Sequence, residues 1–147
     1  MNGVPITFIG NVGQDPDLRF TPSGAAVVTL SVAVTPRRLD RESGKWVDGA
    51  ATWYRCNAWR GLAENIAETV TKGMRVIVTG EIAARDWSND KGEKGTSWEV
   101  LISGIGPELT WATAQVKRAS RTGDQVPPPE DPWANSNSNT SNGEPPF

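Results

Sequence analysis

Apolar residues recur at every second position along several stretches of the chain, and this spacing predicts β-strands. In AAVVTLSVAVTP (25–36), Val or Leu occupies every second position from Val28 to Val34. Successive side chains of a strand point to opposite faces, so this stretch predicts a half-buried strand that Pro36 ends. Four other stretches are predicted strands: VPITFIGNVG (4–13), TWYRCNAWRG (52–61), RVIVTGEIAARDW (75–87) and TSWEVLISGIG (96–106).

The period changes to that of a helix in GLAENIAETVTKG (61–73). Leu62, Ile66 and Val70 lie four residues apart and Gly73 supplies a stop signal, which predicts a helix of about three turns. The intervening stretches are predicted loops: GQDPDLRFTPSG (13–24), RRLDRESGKWVDGA (37–50) and the mobile hairpin loop SNDKGEKG (88–95). The order is then three strands, one helix and two strands. It predicts an all-β protein with one short helix, a five-stranded OB-fold Greek-key barrel, a fold that commonly binds oligonucleotides or oligosaccharides.

The stretch TWYRCNAWRG raises the question of which face is buried. One face receives Trp53, Arg55, Asn57 and Trp59, and the other receives Tyr54, Cys56 and Ala58. The two Trp residues could belong to the core, but burying Arg55 and Asn57 with them would be costly if they were unpaired. An exposed face with aromatics between cations suits single-stranded nucleic acid, whose bases stack while the cation meets the phosphate. Carbohydrate would also stack on Trp, but it gives no role to the arginine.

The later strands extend the same surface. Arg85 and Trp87 share one parity in the fourth predicted strand, which places them together on one face. Trp98 shares its parity with Val100 and Ile102, so it is either a further stacking residue or part of the core.

Two predicted loops add candidate contacts. Trp46 lies in the polar loop near Arg37 and Arg38, where it either folds onto the body or contacts nucleic acid. Lys91 and Lys94 flank a glycine in the hairpin loop and would lie beside the proposed aromatic surface.

Composition divides the chain at about residue 120. From Thr122 onward, 15 of 26 residues are Gly, Pro, Ser or Asn, and the four charged residues are all acidic. Such a segment offers little apolar surface to offset chain entropy, so we expect residues 121–147 to be a disordered acidic tail after a folded domain over 1–120. The first 121 residues hold 15 bases and 13 acids. Charge alone therefore does not indicate nucleic-acid binding.

Several classes of protein are disfavoured by composition. The chain has no His and a single cysteine, Cys56, which excludes a His general base, an intrachain disulfide and a Cys-based zinc site. We therefore expect no enzymatic activity, no metal and no cofactor. No signal peptide and no apolar stretch of membrane-spanning length is evident, so we expect a cytoplasmic, nucleoid-associated protein without membrane contact.

Three segments together resemble the bacterial single-stranded DNA-binding proteins, and the actinobacterial branch most of all. They are FIGNVGQDPDLRFTPSGAAVVTLSVAVTPR, WYRCNAWRGLAENIAETVTKGMRVIVTGEI and RDW followed by DKGEKG, within about residues 4–118. The resemblance implies OB-fold homotetramers that bind single-stranded DNA without sequence preference in replication, recombination and repair. Its stacking positions fall on Trp53, Trp59 and Trp87, and a basic position falls on Arg55. IGPELTWATAQVKRAS is similar to that branch's additional strand, which hooks neighbouring subunits together, here over Pro107–Val116.

The end of the chain, GEPPF, also resembles the family, whose tip docks partner proteins. Phe147 unites an aromatic ring with a terminal carboxylate, Pro145 and Pro146 restrict the backbone, and Glu144 adds a negative charge. We therefore expect residues 144–147 to recruit DNA replication and repair proteins. The alternative function is an OB-fold module for RNA or for replication restart, which would share the same aromatic surface and which only a competition assay separates.

Overall fold

The computed structural model describes residues 3–120, and these contain eight β-strands and one α-helix. The strands are β1 (Val4–Val12), β2 (Asp17–Phe20), β3 (Ala26–Val34), β4 (Arg37–Leu39), β5 (Trp46–Asp48), β6 (Thr52–Trp59), β7 (Arg75–Ser88) and β8 (Lys94–Pro107). The helix α1 (Arg60–Thr69) lies between β6 and β7. The predicted tail and its docking tip, residues 121–147, lie outside the described residues.

Five long strands form the predicted OB-fold barrel. The sheet order is β1-β7-β8-β6-β3-β2, and β1 also pairs with β3 at Asn11 and Val12, which closes the sheet on itself. All of these neighbours are antiparallel except β6 and β8, which are parallel. The predicted order of three barrel strands, one helix and two barrel strands is therefore confirmed.

The barrel interior is filled by the apolar parity of each strand. Its fully buried side chains are mostly Val and Leu from β3, β7 and β8, together with Cys56 and Ala58 of β6. Tyr54 also faces inward and stacks on Phe8 of β1 with ring centroids 4.6 Å apart. Helix α1 packs against β3 and β6 through the buried Ala63 and Ile66. Helix periodicity thus places Ala63 and Ile66 on the face that covers one side of the core.

The helix ends earlier than its stop signal. Val70 is extended, and Gly73 adopts φ +86° in a turn that the Met74 N–H closes by donating to the Thr71 carbonyl oxygen at 3.1 Å. Gly73 is therefore a turn residue that leads into β7, in a conformation which favours glycine.

Two segments predicted as loops contain short strands. β2 forms within residues 13–24 and pairs with β3, and the polar loop 37–50 folds into the antiparallel hairpin β4–β5. Sequence patterns missed them because turn-forming Pro, Gly and Asp residues surround strands of only three or four residues. The loop predicted over 88–95 is also shorter, because β7 and β8 continue to Ser88 and Lys94. Its tight turn is held by the Asn89 side chain, whose Oδ1 accepts the Lys91 and Glu93 N–H groups.

The additional strand predicted over Pro107–Val116 does not form in the single chain. β8 ends at Pro107, the Glu108 N–H donates to the Arg75 carbonyl oxygen, and residues 108–120 contain no strand or helix. A strand requires a backbone partner, and no barrel strand pairs with this segment. The compact unit ends at Val116. No helix within residues 3–120 has the length and apolarity to cross a membrane.

Gly80 marks the irregular step where β7 changes register against β8. A Cβ at this buried position would overlap the carbonyl oxygen of Leu101, whereas a Cβ at Gly61, inside α1, would meet nothing within 4 Å. We therefore expect Gly80→Ala to lower the free energy of unfolding by about 1–3 kcal/mol or more. Gly61→Ala should raise it by about 0.4–1 kcal/mol, because it reduces the entropy of the unfolded chain.

Urea unfolding of both variants measures this difference. Equal stability of the two variants would contradict the close approach of β7 and β8 at Gly80.

Candidate nucleic-acid interface

Strand β6 divides its side chains as the alternation predicted. Cys56 and Ala58 are completely buried, whereas Trp53 and Trp59 are 61% and 47% exposed on the outer face. Asn57 lies between the two rings on that same face and is half-buried. The alternative in which the two Trp residues form the core is therefore wrong, because the small interior side of β6 already fills the space inside the barrel.

Strand register brings β7 and β8 residues to the same outer face. Arg55 is paired with Glu99 in the parallel β6–β8 ladder, and Glu99 is paired with Ala83 of β7. Arg85 and Trp87 follow Ala83 at intervals of two, so they share its face. Between these strands and β3 lies a groove of about 490 Å³. Its lining consists of Val27, Thr29, Arg55, Asn57, Trp59, Ala83, Ala84, Arg85, Glu99 and Leu101.

Glycines make room for two of the exposed rings. A Cβ at Gly95, the cross-strand partner of Trp87, would lie 2.5 Å from Cζ2 of that indole. A Cβ at Gly13 would likewise overlap the ring of Trp53. Each ring therefore rests against glycine backbone on one side and keeps the other side open to solvent, which is the arrangement that base stacking requires.

The groove contains a polar network that crosses four strands. The Thr29 hydroxyl donates to Asn57 Oδ1 at 3.0 Å, and Asn57 Nδ2 donates to Glu99 Oε2 at 3.1 Å. Arg85 Nη1 donates to the same Glu99 oxygen at 3.3 Å, while Arg55 Nε lies 3.7 Å from Glu99 Oε1. The two arginines therefore flank one carboxylate, and the cluster carries a net charge of +1.

Trp98 lies on the other face of the β7–β8 hairpin from Trp87. Its pairing with Ala84 gives it the parity of the barrel interior, yet its side chain is 62% exposed. The reason is that β6 pairs with β8 only over Glu99–Leu101, so the hairpin extends beyond the barrel. Trp98 is thus not a core residue, and it does not share the surface formed by the other three rings.

The remaining predicted contacts lie on the two hairpins. Trp46 is paired with Leu39 in the β4–β5 hairpin and is 62% exposed, so it does not fold onto the body. Arg37 forms an ion pair with Asp48 at 3.1 Å, and Arg38 is exposed. Lys91 and Lys94 are exposed at the end of the β7–β8 hairpin.

Sequence reasoning missed Glu99 above all. It also missed Thr29, whose hydroxyl donates to Asn57. The available signal was parity, because Glu99 alternates with the inward-facing Val100 and therefore had to point to the outer face. What the pattern could not supply was the register between β6 and β8, which sets Glu99 beside Arg55.

The groove is lined by Arg, Asn, Thr, Glu, Trp and aliphatic side chains, whereas Cys56 lies inside the barrel. Burial raises the pKa of the Cys56 thiol to about 12, so the thiol stays protonated at neutral pH and is a poor nucleophile. Among residues 3–120, no three Cys, Asp or Glu side chains are grouped so that they could hold a metal ion.

Comparison with known proteins identifies the class. Residues 2–107 match the family model described as "Single-strand binding protein family". The chain therefore belongs to the single-strand binding protein family, whose members are DNA-binding proteins rather than enzymes. The resemblance inferred from the sequence is confirmed.

The relatives are actinobacterial, as the sequence indicated. A single-stranded DNA-binding protein from Mycolicibacterium smegmatis is 48% identical, over 97% of this chain and 96% of its own length. One from Mycobacterium leprae is 56% identical over 80% of this chain and 70% of its own length. The crystal structure of a small single-stranded DNA-binding protein from Streptomyces coelicolor matches with a TM-score of 0.64 and 33% identity, covering 74% of this chain and 97% of that one.

Proposed function

We propose that this protein binds single-stranded DNA without sequence preference and protects it during replication, recombination and repair in the cytoplasm, in association with the nucleoid. The observation that carries the proposal is the outer face on which Trp53, Trp59 and Trp87 are exposed around Arg55 and Arg85. Each exposed ring can stack on one base, which contributes about 1–3 kcal/mol, and every base has a face for stacking. Sequence-independent binding follows from that chemistry.

The two arginines supply the phosphate contacts beside the rings. Both are more than half exposed, so their outer N–H groups are accessible to a strand that lies along the groove. Exposed Trp46, Arg37 and Arg38 on the β4–β5 hairpin, and Trp98, Lys91 and Lys94 on the β7–β8 hairpin, are proposed as further contacts where the strand leaves the groove. Double-stranded DNA cannot use the rings, because its bases are already stacked on each other.

Titration of the intrinsic Trp fluorescence tests this proposal. We expect strong quenching by poly(dT), weaker quenching by poly(U) and little quenching by duplex DNA, since only unstacked bases reach the indoles. Replacement of Trp53, Trp59 and Trp87 by Ala should remove most of the quenching and weaken binding by about 1–3 kcal/mol for each ring.

Trp98→Ala is compared with Trp87→Ala, because the two residues lie on opposite faces of one hairpin and only Trp87 shares the face of Trp53 and Trp59. We expect Trp98→Ala to reduce the affinity for poly(dT) less than Trp87→Ala does. An equal response to all three polymers would contradict the stacking mechanism, and stronger binding of poly(U) would favour the alternative function in RNA binding or replication restart.

We further propose that the protein assembles into a homotetramer. Strand β1 pairs with β7 on one side, but it meets β3 only at its end, so most of its other edge is unpaired within the described chain. Ile9 and Ile77 are exposed on the adjoining outer face. An unpaired edge with apolar neighbours favours association, because a second copy satisfies the backbone groups and covers the side chains.

The segment after β8 adds a second reason for assembly. Leu109, Trp111 and Val116 are 57%, 83% and 95% exposed, so the described part of the chain leaves three large apolar side chains of one short segment uncovered. A neighbouring subunit would provide both the backbone partner and the apolar cover that the segment lacks among residues 3–120. This is the role that the resemblance assigned to residues 107–116.

Truncation after Glu108 tests the segment while it keeps the hydrogen bond from Arg75 to Glu108. We expect the truncated protein to dissociate from tetramers to dimers at concentrations where a control truncated after Ser120 stays tetrameric. Sedimentation velocity over a dilution series measures the change. A truncated protein with the control's dissociation profile would show that the segment does not hold subunits together.

We also propose that residues Glu144–Phe147 dock DNA replication and repair proteins. The segment from Thr122 onward carries only negative charge, so the DNA that occupies the groove repels it. Burial of the Phe147 ring in a partner's pocket would contribute about 1.5–3 kcal/mol, and the two prolines reduce the ordering cost. These magnitudes suit weak, exchangeable contacts.

Deletion of Glu144–Phe147 should leave the affinity for poly(dT) unchanged, or slightly increased at low salt, because the groove is intact and a negative charge is removed. The same deletion should abolish the pull-down of replication and repair proteins from a host extract. Phe147→Ala alone should reproduce most of the loss, and recovery of the same partners by the deleted protein would show that they dock elsewhere.

A further inference from the structure

A carboxylate lies in the middle of the surface that we propose for a polyanion. Glu99 of β8 is held by Asn57 and is paired with both Arg55 and Arg85. Its negative charge reduces the attraction of the two arginines for phosphate. A surface that served only to bind phosphate tightly would not contain such a group.

Glu99 is less accessible to solvent than the two arginines that flank it. Its side chain is 16% exposed, whereas the side chains of Arg55 and Arg85 are 62% and 73% exposed. An incoming strand therefore meets the guanidinium groups before it meets the carboxylate. The guanidinium N–H groups that face Glu99 are the same kind of donor that binds a phosphate oxygen. Glu99 and phosphate consequently compete for them.

The carboxylate is anchored in this position. Asn57 Nδ2 donates to Glu99 Oε2 at 3.1 Å, and the Thr29 hydroxyl in turn fixes Asn57 by donating to its Oδ1 at 3.0 Å. These bonds come from β3 and β6, the strands on one side of β8, while Arg85 approaches from β7 on the other side. The arrangement keeps Glu99 available to take back the arginines when a strand leaves.

We propose that Glu99 is a positioning residue that competes with phosphate for Arg55 and Arg85 and so eases the release of bound DNA. The proposal rests on the proposed function, because it concerns the same groove. In the free protein Glu99 accepts a hydrogen bond from Arg85 and attracts Arg55 at 3.7 Å, and in the complex the two guanidinium groups are shared between the carboxylate and the strand. Base stacking then carries most of the affinity, and the strand exchanges readily.

Glu99→Gln tests this role, since glutamine keeps the size and an oxygen that accepts from Asn57 but removes the charge. Binding to a labelled oligo(dT) is measured over a series of NaCl concentrations. We expect binding that is about 3- to 10-fold tighter at low salt, from slower dissociation. The slope of log K against log salt should steepen by up to about 0.7, the value for one further phosphate contact on a single strand.

Glu68→Gln is the matched control. It removes the same charge from the exposed side of α1, whereas the residues that line the groove come from β3, β6, β7 and β8. We expect it to leave both affinity and slope unchanged. Thermal melting of each variant shows whether the fold is retained.

A second comparison asks whether Glu99 acts through the arginines. In an Arg55→Gln, Arg85→Gln background, the gain from Glu99→Gln should fall below about twofold, because no guanidinium group remains to be released. If Glu99→Gln raised the affinity in this background as much as in the wild-type protein, the carboxylate would repel the strand directly, and the proposal would be overturned.

The outcomes separate this inference from the proposed function. If wild-type protein binds oligo(dT) and Glu99→Gln binds equally or more weakly with an unchanged slope, Glu99 only supports the shape of the groove and the inference fails. If wild-type protein does not bind oligo(dT), the proposed function itself fails.

Discussion

Closure of the sheet into a barrel is the constraint on which the other features of this protein depend. Because β1 pairs with β7 and also reaches β3, every long strand must divide its side chains between a sealed interior and an outer face. In β6 the interior accepts Cys56 and Ala58, which leaves Trp53 and Trp59 outside. A slip of one residue would reverse this division and would bury Arg55 instead. Exposure of the rings is therefore enforced by the packing of the core.

The outer face combines two kinds of interaction with different ranges. Trp53 and Trp87 rest on glycines, and under the proposed function the exposed rings would act only at stacking distance, while Arg55 and Arg85 would act on phosphates from further away. Glu99 pairs with the arginines and not with the rings, so under our proposal it would moderate only the phosphate contacts. This division agrees with a folded body whose bases and acids nearly cancel.

Within residues 3–120 the chain leaves apolar surface that its strands and helix do not cover. Ile9 and Ile77 are exposed beside the unpaired edge of β1, and Leu109 and Trp111 are exposed after β8 ends. The same two requirements, paired backbone and covered apolar side chains, shape the barrel and are unmet at these positions. Assembly of several copies would therefore complete the structure by the same physics that folds each chain.

The sequence by itself determined the five barrel strands, the position of the helix and the faces of Trp53, Trp59 and Trp87, because period and parity are local properties of the chain. Short-range pattern could not reveal β2 or the β4–β5 hairpin, whose strands are too short to show a period. Nor could it predict that residues 108–116 pair with no strand in the described part of the chain. Only the tertiary structure decided that Trp98, despite its interior parity, lies beyond the barrel and is exposed. The tertiary structure alone also placed Glu99 next to both arginines, because the register of β8 between β6 and β7 depends on residues far apart in sequence.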